Sequence, residues 1–330
     1  MTGRLAAALV EDEAGLEALG PQWWDLWRRC PVATPFQSPA WLLPWWGAFR
    51  PGRLCAVVVR DERQLVALAP VYLEVGPLGR RLLPIGIGIT DYLDVLLDPE
   101  TPEAAAALVD AAADLVPDWD VWELEELMPG AAALGLPAPP RTIEESAEQS
   151  ACPVLVLAGE VPVPAGKRRK FRMAENRVAR RGGEVASIGP DGVPHFLDHL
   201  IRLHGARWAS RGEDGVLADD PVRRFHAAAL PQLVAAGLAR LTTLTIESRV
   251  VGAYYGLHHG RRAYAYLGGF DPDFAFESPG TVLVGGAIEA ARQEGATEFH
   301  FLRGREAYKY EWGAVDRWNR RRSFRHPARA

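Results

Sequence analysis

The sequence predicts an α/β protein built from two similar modules that join near residue 150. The chain from Ala239 to Trp312 has the pattern of a β-meander, a capped helix and a further strand. A similar order of elements can be followed from Leu54 to Leu127. Between them, Met128–Ser150 is rich in Ala, Pro and Glu and has the composition of a linker. We therefore expect one module over residues 1–150 and a second over residues 151–330.

In the second module, three stretches have strand composition, rich in Thr, Val, Leu or aromatic residues. Polar segments suited to tight reversals separate them. Ser278-Pro279-Gly280 then predicts a helix start with Pro at the first helical position, and Gly295 predicts the helix end. A short strand follows. The four strands are expected at Leu241–Ile246, Val250–Leu257, Ala263–Phe270 and Glu298–Leu302.

The first module is expected to begin with two Trp-rich helices, Gln22–Cys30 and one opened by Ser38-Pro39. Their tryptophans indicate core packing, although a stacking surface for bases or sugars is an alternative. Strands, a helix and a last strand follow. They are expected at Leu54–Arg60, Leu65–Leu73, Arg81–Ile85, Tyr92–Leu97, Pro102–Val116 (the helix) and Val121–Leu127.

Composition narrows the functional classes. A formal net charge of −5 over 330 residues argues against a general nucleic-acid binder. Cys30, Cys55 and Cys152 share no metal-ligand spacing, so neither disulfides nor a metal site is expected. The short apolar run near the N-terminus does not fit a signal peptide, and no run fits a membrane span. Cytoplasmic location is the expectation, and the oligomeric state stays open.

Basic residues give two further signals. Arginine supplies almost all the positive charge, and the only lysines are Lys167, Lys170 and Lys309. A position that keeps lysine in such a chain can require a compact ammonium rather than a planar guanidinium, and Lys309 is the candidate. The basic helix expected within Gly166–Gly183 has three interpretations: a nucleic-acid or membrane surface, a solvated helix, or a basic wall beside an anionic ligand.

Several segments together resemble a known family. They include TPFQSPAWL, ITDYLDVLLDPE, LHGARWASRG, the SPG helix start and FLRGREAYKYEWG. The chain resembles the GNAT acyltransferase superfamily in its two-module FemAB-like branch. Within that branch it is most similar to CelD/BcsL-like proteins of cellulose biosynthesis. The resemblance implies tandem GNAT-like modules with a mixed sheet, and it leaves open whether the first module is active or a degenerate copy.

The resemblance also implies a donor site. GNAT enzymes bind acyl-CoA where central strands splay apart, with the pyrophosphate at the start of the following helix. The matching positions are Leu267, Gly268, Gly269, Phe270, Ser278, Gly280 and Thr281. In place of the usual Gln/Arg-x-x-Gly-x-Gly/Ala signature stands Glu277-Ser278-Pro279-Gly280-Thr281. FemAB relatives, which can use aminoacyl-tRNA, also lack the full signature.

Direct N-acyl transfer requires a neutral amine, oxyanion stabilisation and a proton source for the leaving thiolate. Tyr308 is the candidate proton donor, Lys309 a ligand for phosphate or carboxylate, and His300 a base. Asp91 could orient the amine. Each has a structural alternative: a packed Tyr, an exposed Lys, a core His and a turn-capping Asp. The expected acceptor-binding residues are Asp91, Tyr92, Tyr254, Tyr266, Trp208 and Arg303.

The sequence thus favours an N-acyltransferase that carries an acetyl group from acetyl-CoA to a small-molecule, sugar or peptide amine, in cell-envelope or polysaccharide biosynthesis. Two alternatives stay open. One is a FemX-like transferase that uses aminoacyl-tRNA as donor. The other is a non-catalytic binding or scaffold protein of a polysaccharide-assembly system.

Overall fold

The structure is a computed structural model that describes residues 5–159, 163–210 and 212–327. The chain forms two compact units, Met1–Ser150 together with Trp318–Ala330, and Ala151–Arg317. The expected boundary near residue 150 therefore coincides with a division of the structure. The end of the expected second module does not, because the residues from Trp318 onward belong to the first unit.

In its described residues, the first unit contains strands of two mainly antiparallel sheets and four α-helices. One sheet has the order β1-β3-β4-β7, and in the other β2, β5, β6 and β8 are successive neighbours. The strands are β1 (Leu5–Val10), β2 (Arg53–Leu54), β3 (Ala56–Asp61), β4 (Gln64–Ala69), β5 (Val71–Gly76), β6 (Gly79–Pro84), β7 (Leu96–Leu97) and β8 (Val121–Leu127). The helices are α1 (Glu13–Ala18), α2 (Gly20–Arg29), α3 (Pro39–Phe49) and α4 (Ala104–Leu115).

The tryptophans of α2 and α3 lie in the core of this unit. Trp23 and Trp41 are fully buried. Their indole nitrogens donate to the Gln37 carbonyl at 2.9 Å and to the Thr90 hydroxyl at 2.8 Å. Satisfying the polar atom of a buried indole allows the ring to pack without an unpaired donor. The prediction of core packing is confirmed.

The parallel strands β6 and β8 pair only through Arg81 with Val121 and Leu82 with Trp122. The segment after β6 then turns back onto the end of β8, where the Leu93 N–H donates to the Glu126 carbonyl at 3.1 Å. The next residue, Asp94, accepts the N–H groups of residues 95, 132 and 133 at 2.8–2.9 Å. Burial raises the pKa of Asp94 to about 7 in spite of these bonds. The segment that contains Leu93 and Asp94 thus packs against the end of β8.

The second unit has one sheet with the order β10-β11-β12-β13-β14-β9. Its core contains Phe171, Leu283, Phe299 and Trp312. The strands are β9 (Ile143–Val156, of which residues from Ala151 belong here), β10 (Glu184–Ser187), β11 (Ala239–Ile246), β12 (Arg249–His259), β13 (Arg262–Phe270), β14 (Glu298–His300) and β15 (Val315–Arg325, up to Arg317). The helices are α5 (Ala165–Arg180), α6 (Val193–Ala209), α7 (Asp220–Ala235), α8 (Pro279–Gln293) and α9 (Ala307–Glu311).

The β-meander and the helix after it are confirmed, whereas other expectations are wrong. Residues 128–150 are not wholly a linker, since β9 begins at Ile143. The expected strand Tyr92–Leu97 is reduced to β7. In the described part of the chain, no helix is both long enough and apolar enough to cross a membrane.

Candidate active site

The candidate site lies where two parallel strands of the second unit stop pairing. β13 and β14 pair through Arg262 with Glu298, Ala263 with Phe299 and Tyr264 with His300. β13 continues to Phe270, but after β14 the chain turns away, with Leu302 in the left-handed region at φ 61°. Within the described residues, positions 265–270 therefore have no strand on the β14 side. Residues 265–268 are half-buried, so this part of β13 is partly accessible to solvent.

Two adjacent glycines near the end of β13 face different surroundings. A Cβ at Gly269 would overlap the main chain of Leu203 and His204 in α6. A Cβ at Gly268 would meet only the Ala253 carbonyl, at 3.4 Å. Because side chains alternate along a strand, Gly269 permits close packing of α6 while Gly268 leaves the other face open. Gly268 thus fits the predicted donor site, and Gly269 has a packing role that the sequence did not indicate.

Arg207 of α6 lies at the mouth of the opening and was missed by the sequence analysis. Its guanidinium donates to the Gly268 carbonyl at 3.4 Å and lies over the Phe270 ring, 5.3 Å from the centroid. Burial acts to raise the pKa of Glu306, on the segment after β14, whereas Lys309 and, to a smaller extent, Arg207 lower it. Arg207 thus places a cation beside the main chain of β13. The segment LHGARWASRG contributes to the family resemblance, but no motif in the sequence distinguishes Arg207 from the other arginines.

The start of α8 differs from the predicted cap. Ser278 occupies the N-cap position in the left-handed region at φ 55°, and its hydroxyl donates to the Ala275 carbonyl at 3.3 Å instead of capping the helix. Pro279 has no N–H, and Thr281 donates to the Ser278 carbonyl at 2.9 Å. Among the described residues, the Gly280 N–H has no acceptor. Gly280 thus gives the helix one open donor for an anion.

Lys309 is neither an exposed lysine nor a free ligand for phosphate. The residue is 2% exposed, and its ammonium donates to three successive carbonyls, of residues 302, 303 and 304, at 3.2, 2.7 and 3.0 Å. Glu306 also forms an ion pair with it at 2.9 Å. The three N–H donors of the ammonium are therefore all used by the three carbonyls and the Glu306 carboxylate. The structure therefore corrects the predicted role: Lys309 holds the turn that follows β14.

Tyr308 precedes this lysine and lies at the surface of the opening. It is 36% exposed, and its ring contacts Phe301 edge-on at 6.2 Å. Burial raises the pKa of the neighbouring Tyr254, with a smaller contribution from Tyr308. The Tyr254 ring lies over Gly256, next to a register shift between β12 and β13. Of the predicted aromatic residues, Tyr308 is accessible to a substrate, whereas Tyr254 is buried.

His300 lies inside the sheet, where it is 1% exposed. Its Nε2 lies 3.1 Å from a Glu298 oxygen, and its ring stacks on Tyr264 at 5.0 Å. Burial lowers the pKa of His300, while its hydrogen bond and Arg317, at 2.6 Å, lower the pKa of Glu298 to about 2. A neutral imidazole that donates to an ionised carboxylate is a core histidine. The geometry gives no support to its predicted role as a base.

Trp208 and Tyr266 lie on the α6 and α7 side of the sheet. The Trp208 indole donates to His204 Nε2 at 2.9 Å, and burial lowers the pKa of His204 to about 4. Tyr266 packs on Tyr255 and His226, with ring centroids 5.2 and 5.6 Å apart. Both predicted residues remain half-buried, near the end of β13. Each of them thus packs on residues that the sequence analysis did not select as site residues, Trp208 on His204 and Tyr266 on Tyr255 and His226.

The remaining predicted residues separate into two places. Arg303 lies in the turn held by Lys309, and its carbonyl accepts from that ammonium. Asp91 and Tyr92 belong to the first unit. There the Asp91 carbonyl accepts from Asn319 at 3.0 Å and the Tyr92 carbonyl accepts from Gln37 at 2.6 Å. The main-chain carbonyls of both residues thus accept hydrogen bonds within the first unit. Within the described residues, no group of His, Cys, Asp or Glu could hold a metal ion.

The comparisons with known proteins concern the fold. Residues 165–310 match the family model described as "Acetyltransferase (GNAT) domain", a range that lies within the second unit. The chain has a tandem GNAT-like fold. The mixed α/β architecture predicted from the sequence is therefore confirmed. No curated protein sequence matched the chain.

Solved structures with the same fold cover nearly the whole chain. FemX is 12% identical, with a TM-score of 0.65 over 96% of each chain. L-PGS from Bacillus licheniformis is 14% identical, with a TM-score of 0.59 over 96% of this chain and 93% of that one. A conserved protein of unknown function from Bacteroides thetaiotaomicron is 14% identical, with a TM-score of 0.60 over 97% of this chain and 100% of that one. Identities this low establish the shared fold alone.

Proposed function

We propose that the chain is an N-acyltransferase whose second unit takes the acyl group of acetyl-CoA into the opening between β13 and β14. The divergence of these strands after Tyr264 and His300 is the observation that carries the proposal. An unpaired strand edge offers main-chain N–H and C=O groups to an extended amide chain, as in the addition of a strand to a sheet. The pantetheine arm of CoA is such a chain, and its thioester would lie near Gly268.

The residues at the opening suit direct transfer. The neutral amine attacks the thioester carbonyl, the C–S bond breaks, and the thiolate takes a proton from the Tyr308 hydroxyl, which regains one from water. The attacking nitrogen loses its extra proton to Glu306, which passes it to water. Burial alone would raise the pKa of Glu306, but the hydrogen bond and charge of Lys309 lower it, so the carboxylate is ionised at neutral pH. Arg207 stands where it stabilises negative charge.

The acceptor in this proposal is an amine of a small molecule, sugar or peptide. We place the reaction in the cytoplasm and in cell-envelope or polysaccharide assembly, because the sequence resembles the CelD/BcsL-like branch and the fold resembles FemX and L-PGS. The half-buried Trp208 and Tyr266 supply an aromatic wall near the end of β13. Such a wall suits the apolar face of a sugar or a peptide side chain.

A second donor, aminoacyl-tRNA, is favoured by the surface of α5. Its packed side chains include Phe171 and Val178, and its outer surface is strongly basic. A row of arginines on one helix is a recognised electrostatic surface for nucleic-acid phosphates. The exposed cations are Arg168, Arg169, Lys170, Arg172 and Arg180.

Isothermal titration calorimetry with acetyl-CoA tests the main proposal. We expect saturable binding by the wild type and loss of binding in Gly268→Val, because the added side chain enters the open face of β13. Val185→Ala, an exposed position on β10, is the control. Equal affinity in wild type and Gly268→Val would place the donor elsewhere. Salt-sensitive binding of charged tRNA without binding of acetyl-CoA would favour the second donor, and binding of neither would favour a scaffold.

A further inference from the structure

The loop between β13 and α8 carries an aromatic side chain that points into solvent. Phe276 is 71% exposed, more than any other aromatic residue in the described chain. Single exposed apolar residues are common and carry no message by themselves. Phe276 differs because Arg177 of α5 holds it: the guanidinium donates to the Phe276 carbonyl at 2.7 Å and lies over the ring, 4.5 Å from the centroid.

The rest of the loop is also fixed by arginines. Arg181 forms an ion pair with Glu277 at 2.8 Å and lies 5.0 Å from the centroid of the buried Phe274. Its hydrogen bond lowers the pKa of Glu277. Arg249 forms an ion pair with Asp271 and also lies over Phe274, at 5.5 Å. The loop below the exposed ring is therefore held by two ion pairs, and among the described residues Arg177 is the cation that lies over this ring.

Phe276 also stands among groups that attract anions. The open N–H of Gly280 lies four residues further on, at the start of α8. Arg180, one helical turn from Arg177, is exposed, and Arg181 pairs with both Glu247 and Glu277, so one of these two negative charges is offset. Asp273 is the exposed acid within the loop and opposes this field. An aromatic face with cations and an N–H beside it fits a purine carrying phosphates.

We propose that Phe276 and Arg177 form a stacking platform for the adenine ring of the CoA donor, with the phosphates directed toward Arg180 and the N-terminus of α8. This inference rests on the proposed function, because it assigns the nucleotide end of the same donor. It also accounts for the missing glycine-rich signature. In this arrangement, arginine and phenylalanine side chains bind the nucleotide end of CoA, whereas the usual GNAT signature binds the diphosphate through main-chain N–H groups.

Calorimetry with three probes tests the platform. The probes are adenosine 3′,5′-bisphosphate, CoA and acetyl-pantetheine, which lacks the nucleotide. Phe276→Ala is expected to weaken the first two about tenfold and to leave acetyl-pantetheine unchanged, since it removes one stacked ring. Phe276→Trp is expected to restore the affinity. Arg177→Met is expected to weaken the same two probes, whereas Met173→Ala, an exposed apolar position on the same helix, is expected to have no effect.

Each result decides between the two proposals. Wild-type binding of CoA that Phe276→Ala does not weaken, or binding of acetyl-pantetheine without either nucleotide, overturns the platform. Phe276-dependent binding of the bisphosphate without binding of acetyl-pantetheine supports the platform and contradicts the proposed donor site. Tighter Phe276-dependent binding of a CCA trinucleotide than of CoA overturns the assignment to CoA in favour of an RNA end.

Discussion

Replacing Lys309 tests whether this residue holds the turn after β14 or contacts the substrate. In Lys309→Met, the carbonyls of residues 302–304 lose their shared donor and Glu306 loses its ion-pair partner. Breaking a buried ion pair typically costs about 3–5 kcal/mol. Water can reach Glu306, whose side chain is 46% exposed, so we expect the lower end, about 3 kcal/mol.

A loss of about 3 kcal/mol corresponds to a fall of roughly 6–12 °C in Tm for a unit of this size. Lys170→Met is the matched control. Lys170 is 67% exposed and lies 3.5 Å from Glu311, and an exposed pair contributes roughly 0–1 kcal/mol. We expect Lys309→Arg to resemble Lys309→Met, because a planar guanidinium cannot direct one nitrogen at three converging carbonyls. Differential scanning calorimetry measures all three variants.

The outcome that contradicts this reasoning is specific. If Lys309→Met melts within about 2 °C of Lys170→Met, the ammonium does not hold the turn. If the same variant also loses acyl transfer at unchanged Tm, Lys309 acts in the reaction, either on the substrate, as the sequence analysis expected, or by keeping Glu306 ionised. Hydrogen exchange of the 302–306 amides provides an independent measurement, since a released turn exchanges faster whether or not a donor binds.

Three further predictions concern the site, the packing and the first unit. Tyr308→Phe should lower turnover at least tenfold and change Tm by no more than about 2 °C, and an equal loss of both would assign Tyr308 to packing. Gly269→Ala should cost roughly 3 kcal/mol by overlap with α6, whereas Gly268→Ala should be nearly neutral in chemical denaturation. Because the pKa of Asp94 is raised to about 7, stability should fall from about pH 4 to pH 7, and Asp94→Asn should flatten that slope.

Much of the fold was readable from the sequence because its signals are local. Strand composition, a Pro at the first helical position and turn residues give the meander and α8 without knowledge of partners. The linker expected at residues 128–150 failed for the opposite reason. β9 is a neighbour of β15 in the sheet, and pairing with a strand so distant in sequence is invisible in a polar, Glu-rich stretch.

The site was less readable, because the function of a side chain depends on its surroundings. The scarcity of lysine drew attention to Lys309 as a candidate for a compact ammonium. Its acceptors, three carbonyls of one turn, appear only in the folded chain. Arg207 shares its residue type with most basic positions, so only its approach to Gly268 distinguishes it. In the sequence, His300 and Tyr308 are equally good candidates for catalytic residues. Only the structure shows that His300 is buried and Tyr308 is exposed.

The departure from the GNAT signature and the arginines around it have one physical explanation. A glycine-rich loop binds diphosphate through several main-chain N–H groups, whereas here Pro279 has none and Thr281 uses its own on Ser278. In the proposed site, side chains of α5 would instead carry the positive charge that a diphosphate requires. Side-chain cations are screened by salt more strongly than enclosed N–H groups. Donor affinity should therefore fall steeply between 50 mM and 500 mM salt, and affinity independent of salt would show that α8 alone holds the phosphates.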